Sequence, residues 1–112
     1  MAGRFEVYEV ALEAACRLRP VLEALRRLDR GLEDQIRRAA ASVVLNIAEG
    51  ARRTGRDRLH LYRIAAGSAA ETRSALGLAW AWGYLDEGVW MELDPLLDRV
   101  LAMLWMLTHP RR

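Results

Sequence analysis

The chain has 112 residues, 53% of them hydrophobic and 29% charged, with 17 arginines, no lysine and a net charge of +2. That size suits one domain over residues 1–112 with a single core. Its longest apolar runs, 76–85 and 100–107, fall well short of the roughly 18–20 residues of a membrane span. The lone cysteine excludes an internal disulfide, and no signal-like apolar stretch follows Met1, so a reducing, cytoplasmic setting is expected.

A first helix is predicted over 4–28. Phe5, Tyr8, Leu12, Ala15 and Leu18 recur at steps of three and four, and Val21, Leu22, Leu25 and Leu28 resume the stripe. Pro20 removes one backbone donor and crowds the preceding turn, so a kink or restart is expected there. Cys16, among Ala14, Ala15 and Leu18, reads as a packed small hydrophobe. Asp29-Arg30-Gly31 reads as the turn.

The second helix is predicted over 32–49, with Gly50 as its C′ stop. Ile36, Ala40, Val43 and Ile47 form an apolar stripe, widened by Ala39 and Val44. Beside it runs a polar stripe of Gln35, Arg38, Ser42, Asn46 and Glu49. Buried polar groups cost free energy unless partnered, so this stripe is either a satisfied network or one wall of a polar surface.

Residues 51–55 form the next loop, and the charge of Asp57 favours the first turn of a third helix ending near 82, at Gly83. Its inner face reads Leu61, Ile64, Ala65, Ser68, Thr72, Leu76 and Ala79. The run Ala65-Ala66-Gly67-Ser68-Ala69-Ala70 has little side-chain bulk and lets a neighbouring helix come close.

The fourth helix, over 87–108, has a core seam of Leu93, Leu96, Val100, Leu104 and Leu107. Leu97, Leu101 and Trp105 add a second apolar stripe, with Met103 and Met106 beyond. So wide an apolar surface exceeds what one bundle needs, and Trp90, Leu97, Leu101 and Trp105 are expected to join subunits. Of the four tryptophans, Trp80, Trp82, Trp90 and Trp105, core packing is expected for two. Four helices with short connections make an all-α, antiparallel up-down-up-down four-helix bundle.

Positive charge is concentrated in the middle of the chain. Residues 36–73 carry +5, against −1 before and −2 after. Arg52, Arg53, Arg56 and Arg58 surround the second loop, with Arg37, Arg38 and Arg63 nearby. Such a group can hold phosphates through charge and forked hydrogen bonds. The plainer reading is a solvated loop with arginines tied to Glu49, Asp57 or Glu71. Tyr62 is the one aromatic within the cluster, which leaves it poor in base-stacking surface.

Gln35, Ser42, Asn46 and Glu49 are placed to meet Ser68, Glu71 and Arg53 across the bundle. Two carboxylates in one site would suit acid–base or metal chemistry. Arginines beside them hold them ionised, which favours a hydrogen-bond network that fixes helix register. A di-metal bundle needs Glu-x-x-His motifs on two helices, whereas this chain has Asp57-Arg58-Leu59-His60 and a C-terminal His109. No metal, cofactor or catalytic residue is expected.

The segment Gln35-Ile36-Arg37-Arg38-Ala39-Ala40-Ala41-Ser42-Val43-Val44-Leu45-Asn46-Ile47-Ala48-Glu49-Gly50 closely resembles a hallmark of the four helix bundle family, also called 23S rRNA intervening-sequence proteins. Arg53 and then Ile64-Ala65-Ala66-Gly67-Ser68-Ala69-Ala70-Glu71 resemble that family's second hallmark. Ala24-Leu25-Arg26-Arg27 departs from the Phe-Pro common there. The resemblance implies an up-down bundle assembling into rings, commonly pentamers. A related branch, the accessory variability determinant proteins of diversity-generating retroelements, binds nucleic acid and a reverse transcriptase.

The resemblance and the basic loop together point to a non-catalytic, homo-oligomeric accessory protein that binds DNA or RNA. The alternative is an oligomeric scaffold with protein partners only. A third reading rests on Arg53 and His60, whose spacing fits the loose Arg-x(4–6)-His signature of HEPN ribonucleases, which are also helical bundles.

Overall fold

A computed structural model describes residues 4–110 as four helices. They are α1 (Arg4–Leu28), α2 (Arg30–Ala51), α3 (Gly55–Ala81) and α4 (Glu87–Thr108). No helix among the described residues is long and apolar enough to cross a membrane.

The helix ends follow from local chemistry. α1 runs unbroken through Pro20, which lies on the exposed face, while Val21 and Leu25 continue the buried stripe on the other side. The expected restart is therefore absent. α1 passes to α2 through Asp29 alone. Its N–H donates to the Leu25 carbonyl at 2.8 Å, and its Oδ1 accepts from the Leu32 N–H at 3.0 Å, capping α2. Arg30 and Gly31, expected as turn, are thus the first residues of α2.

α3 closes on a Schellman motif. Tyr84 N–H donates to Ala79 O at 2.9 Å and Gly83 N–H to Trp80 O at 3.0 Å, with Gly83 at φ +81. Gly83 stops its helix as expected. Gly50 does not: it is buried inside α2, one residue before the helix ends at Ala51. Left-handed backbone is found instead at Gly55, φ +59, where α3 begins.

α1 packs on α2, α2 on α3, α3 on α4 and α4 back on α1, while the diagonal pairs stay apart. Leu18, Leu25, Ile36, Leu76 and Leu93 share one buried cluster, and Val7, Val43, Ile47, Tyr62, Val100 and Leu104 share the other. The start of α1 therefore meets the end of α2, the start of α3 and the end of α4. Successive helices alternate in direction, giving a rod of 46 × 22 × 18 Å.

The buried faces differ in phase from the sequence reading where a helix offers two apolar stripes. In α1 the core takes Val7, Val10, Ala11, Ala14, Leu18, Val21 and Leu25. Phe5, Leu12 and Leu28 stay exposed, and so does Cys16, which sits opposite the buried stripe. In α3 the core takes Tyr62 and a ladder of alanines, leaving Ile64 exposed. In α4 Leu97, 3% exposed, and Met103 turn inward. None of the four tryptophans is buried: Trp80 and Trp90 stack at 4.3 Å against the core's edge, while Trp82 and Trp105 are exposed.

Candidate functional site

The two hallmark segments meet along the α2–α3 seam. The hydroxyls of Ser42 and Ser68 share a 2.7 Å hydrogen bond, and Asn46 Nδ2 donates to Ser42 O at 2.9 Å and to its Oγ at 3.0 Å. Gln35 Nε2 reaches the Glu71 carboxylate at 3.4 Å. Around them lies an open cleft of about 350 Å³, also lined by Asp34 and Arg38. Glu49 does not join this set; it accepts from Arg53 Nε at 2.8 Å one turn further on. Two bonds from the polar stripe therefore join α2 to α3, the half-buried Ser42–Ser68 pair and the exposed Gln35–Glu71 pair.

The seam closes tightly at its end. A Cβ on Gly50 would lie 2.7 Å from Tyr62 Cε1, so glycine is needed there for close approach. Arg58 Nε donates to the Gly50 carbonyl at 3.3 Å and ties the start of α3 to α2.

Besides Arg58, which is committed to the Gly50 carbonyl, the candidate phosphate-binding arginines separate into two groups. Arg37 pairs with Glu33 and Asp34, Arg38 with Asp34, and Arg53 with Glu49. These serve α2's own surface. Arg52, Arg56 and Arg63 are exposed and form no ion pair with a described residue. Arg56 sits in the first turn of α3, where the helix dipole disfavours a positive charge, so its position does not serve helix stability. Thr54, the N-cap of α3, makes no side-chain capping bond, which leaves first-turn amides facing outward. Arg26, Arg27 and Arg30 are exposed as well, at the opposite end and interspersed with Glu23, Asp29, Glu33 and Asp34.

Sequence spacing hid an aromatic surface at this end. Trp105, 58% exposed, stacks on His109 with centroids 4.2 Å apart and planes within 11°. His109 is held against the end of α4: its Nδ1 lies 2.9 Å from the Trp105 carbonyl, to which it donates, and 3.2 Å from Thr108 Oγ1. Tyr62, the aromatic the sequence placed in the cluster, is wholly buried.

His60 and Arg53 do share a cleft of about 180 Å³ with Glu49 and Asp57. Arg53 is held there by Glu49 at 2.7 Å, which occupies the guanidinium a ribonuclease would turn on phosphate. Among the described residues no group of three or more His, Cys, Asp or Glu is arranged to hold a metal ion.

The residues expected to join subunits are dispersed. Leu97 is core, Trp90 is half-buried on Trp80, Leu101 is half-buried and Trp105 is exposed. Leu97 is therefore withdrawn from any surface. The broad open apolar surface lies between α1 and α2. Leu12, Ala15, Leu22, Ala41, Val44 and Leu45 line a groove of about 340 Å³, with Leu45 65% exposed. On the far side, Arg73 bridges α3 to α4. It binds Asp94 through two bonds, at 2.7 and 2.9 Å, and Asp98 at 2.9 Å. The hydrogen bonds from Arg73 hold the Asp94 carboxyl below its ordinary range, against the opposing effect of partial burial.

The fold is shared with a crystal structure from Bacteroides thetaiotaomicron VPI-5482, described as a protein of unknown function from the S23 ribosomal protein family. The two align with a TM-score of 0.84 at 22% identity, over 93% of this chain and 99% of that one. No curated protein matches the chain. The family model described as 23S rRNA-intervening sequence protein matches residues 4–106. With both hallmark segments packed face to face and nearly the whole chain matched, this four-helix protein belongs to the 23S rRNA-intervening sequence protein family.

Proposed function

We propose that the protein binds nucleic acid without chemically altering it, through the end of the bundle where α2 turns into α3. One observation carries this: Arg52, Arg56 and Arg63 are exposed there with no ion-pair partner among the described residues, while Arg37 and Arg38 pair with acids of α2 and Arg53, in the loop, pairs with Glu49. Unpaired guanidiniums are free for forked bonds to phosphate, and the uncapped start of α3 adds outward amides of the right polarity. The test is binding of labelled DNA and RNA to wild type and to a variant with Arg52, Arg56 and Arg63 changed to Gln. Retention by the wild type, loss in the variant and recovery of intact RNA support the reading. Equal binding by both proteins, or RNA cleavage lost in His60→Ala, counts against it.

A second reading, a self-assembling scaffold, is favoured by the α1–α2 groove. An apolar groove bordered by Leu12, 42% exposed, and Leu45 is costly on a lone bundle, and a second copy of the chain would cover it. The two readings are compatible, because the groove runs along the rod and the arginines sit at its end.

A further inference from the structure

The Trp105–His109 pair narrows the kind of nucleic acid. Arg73 on α3 meets Asp94 and Asp98 on α4. In antiparallel helices of equal rise, each step forward on α4 faces a step back on α3. Trp105, seven residues past Asp98, therefore comes opposite Ala66 and Arg63. His109, four residues later, comes opposite residues 58–62, which lie between Arg56 and Arg63 along α3. Ala66 and Leu101 both pack against the core cluster at this end of the bundle.

His109 is fixed by its Nδ1 bond to the Trp105 carbonyl, so the two rings lie parallel with Trp105 58% exposed, and the count along the helices sets the pair level with the stretch of α3 between Arg56 and Arg63. A flat aromatic surface next to phosphate-binding charge is what unpaired bases need, whereas bases in a duplex are already stacked on each other.

We infer that this end selects single-stranded over double-stranded nucleic acid, one base extending the Trp105–His109 stack while Arg56 and Arg63 hold the adjoining phosphates. The inference rests on the nucleic-acid reading above and adds the class of ligand.

The experiment uses fluorescence anisotropy at one fixed salt concentration. The probes are labelled oligothymidylate, oligouridylate and a mixed-sequence duplex, each of about 15 nucleotides or base pairs. Trp105→Leu keeps an apolar side chain at an exposed position, and Trp105→Phe keeps a ring. Trp105→Leu is expected to weaken binding of either single strand roughly 5- to 100-fold and leave duplex binding unchanged, with Trp105→Phe in between. Quenching of tryptophan fluorescence by the single strand should shrink with it. If single strand and duplex bind equally and Trp105→Leu changes neither, while Arg56→Gln with Arg63→Gln weakens both, the stacking inference is overturned and the arginine reading survives. If no probe binds, both fall.

Discussion

Gly50 and Tyr62 approach so closely that a single methyl group on Gly50 would lie 2.7 Å from the buried Tyr62 ring. Neither can retreat: Tyr62 is fully buried, and Gly50 sits inside α2 with its carbonyl held by Arg58. Gly50→Ala would gain about 1 kcal/mol of helix propensity and incur overpacking in the upper part of its usual range, about 2–3 kcal/mol, because the fully buried ring has no room to give way. A net loss of about 1–2 kcal/mol is expected, seen as a melting temperature lower by roughly 5–10 °C. Thermal or urea unfolding checks it; a variant as stable as wild type would mean that the helices separate at no cost.

Asp94 makes stability depend on acid. Its folded carboxyl titrates below the unfolded value of about 3.9. A depressed carboxylate contributes stability above the unfolded value and loses it as pH falls through the folded one. Melting curves from neutral pH to about pH 2 should fall more steeply for wild type than for Asp94→Asn. At neutral pH Asp94→Asn should cost about 1 kcal/mol, because the pair is partly exposed and screened. Parallel pH profiles would remove Asp94 from the account.

Leu45→Glu and Leu12→Glu place a charge in the α1–α2 groove. Both positions are exposed in the single chain, so helix content and unfolding should change little. If copies of the chain cover the groove, native mass spectrometry at micromolar concentration should show smaller assemblies for both variants. Unaltered assembly would place the contact elsewhere.

The fold was legible because four long periodic segments with short connections admit few arrangements. What the sequence hid were phases and pairings. α1 carries apolar residues on two faces, and only the partner helices decide that Val7 and Ala14 go in while Phe5 and Leu12 stay out. Gly50 reads as a helix stop until Tyr62, twelve residues away, is seen pressing on it. Arg73 gave no local sign of its bond to Asp94, which lies on another helix. The candidate site was half legible: the basic cluster is visible in the charge count, but its division into paired and unpaired arginines depends on side-chain geometry. Trp105 reads as a subunit contact by periodicity, and its stack on His109 shows only once the end of α4 is seen.

The salt dependence of nucleic-acid binding tests the central claim most directly. Each arginine that neutralises a phosphate steepens the slope of log affinity against log salt by about 0.7–0.9. Changing Arg52, Arg56 and Arg63 to Gln should therefore flatten that slope by roughly 2–3 per bound chain and weaken binding at low salt. A variant with the wild-type slope and affinity would show that phosphate is held elsewhere, and would contradict the account.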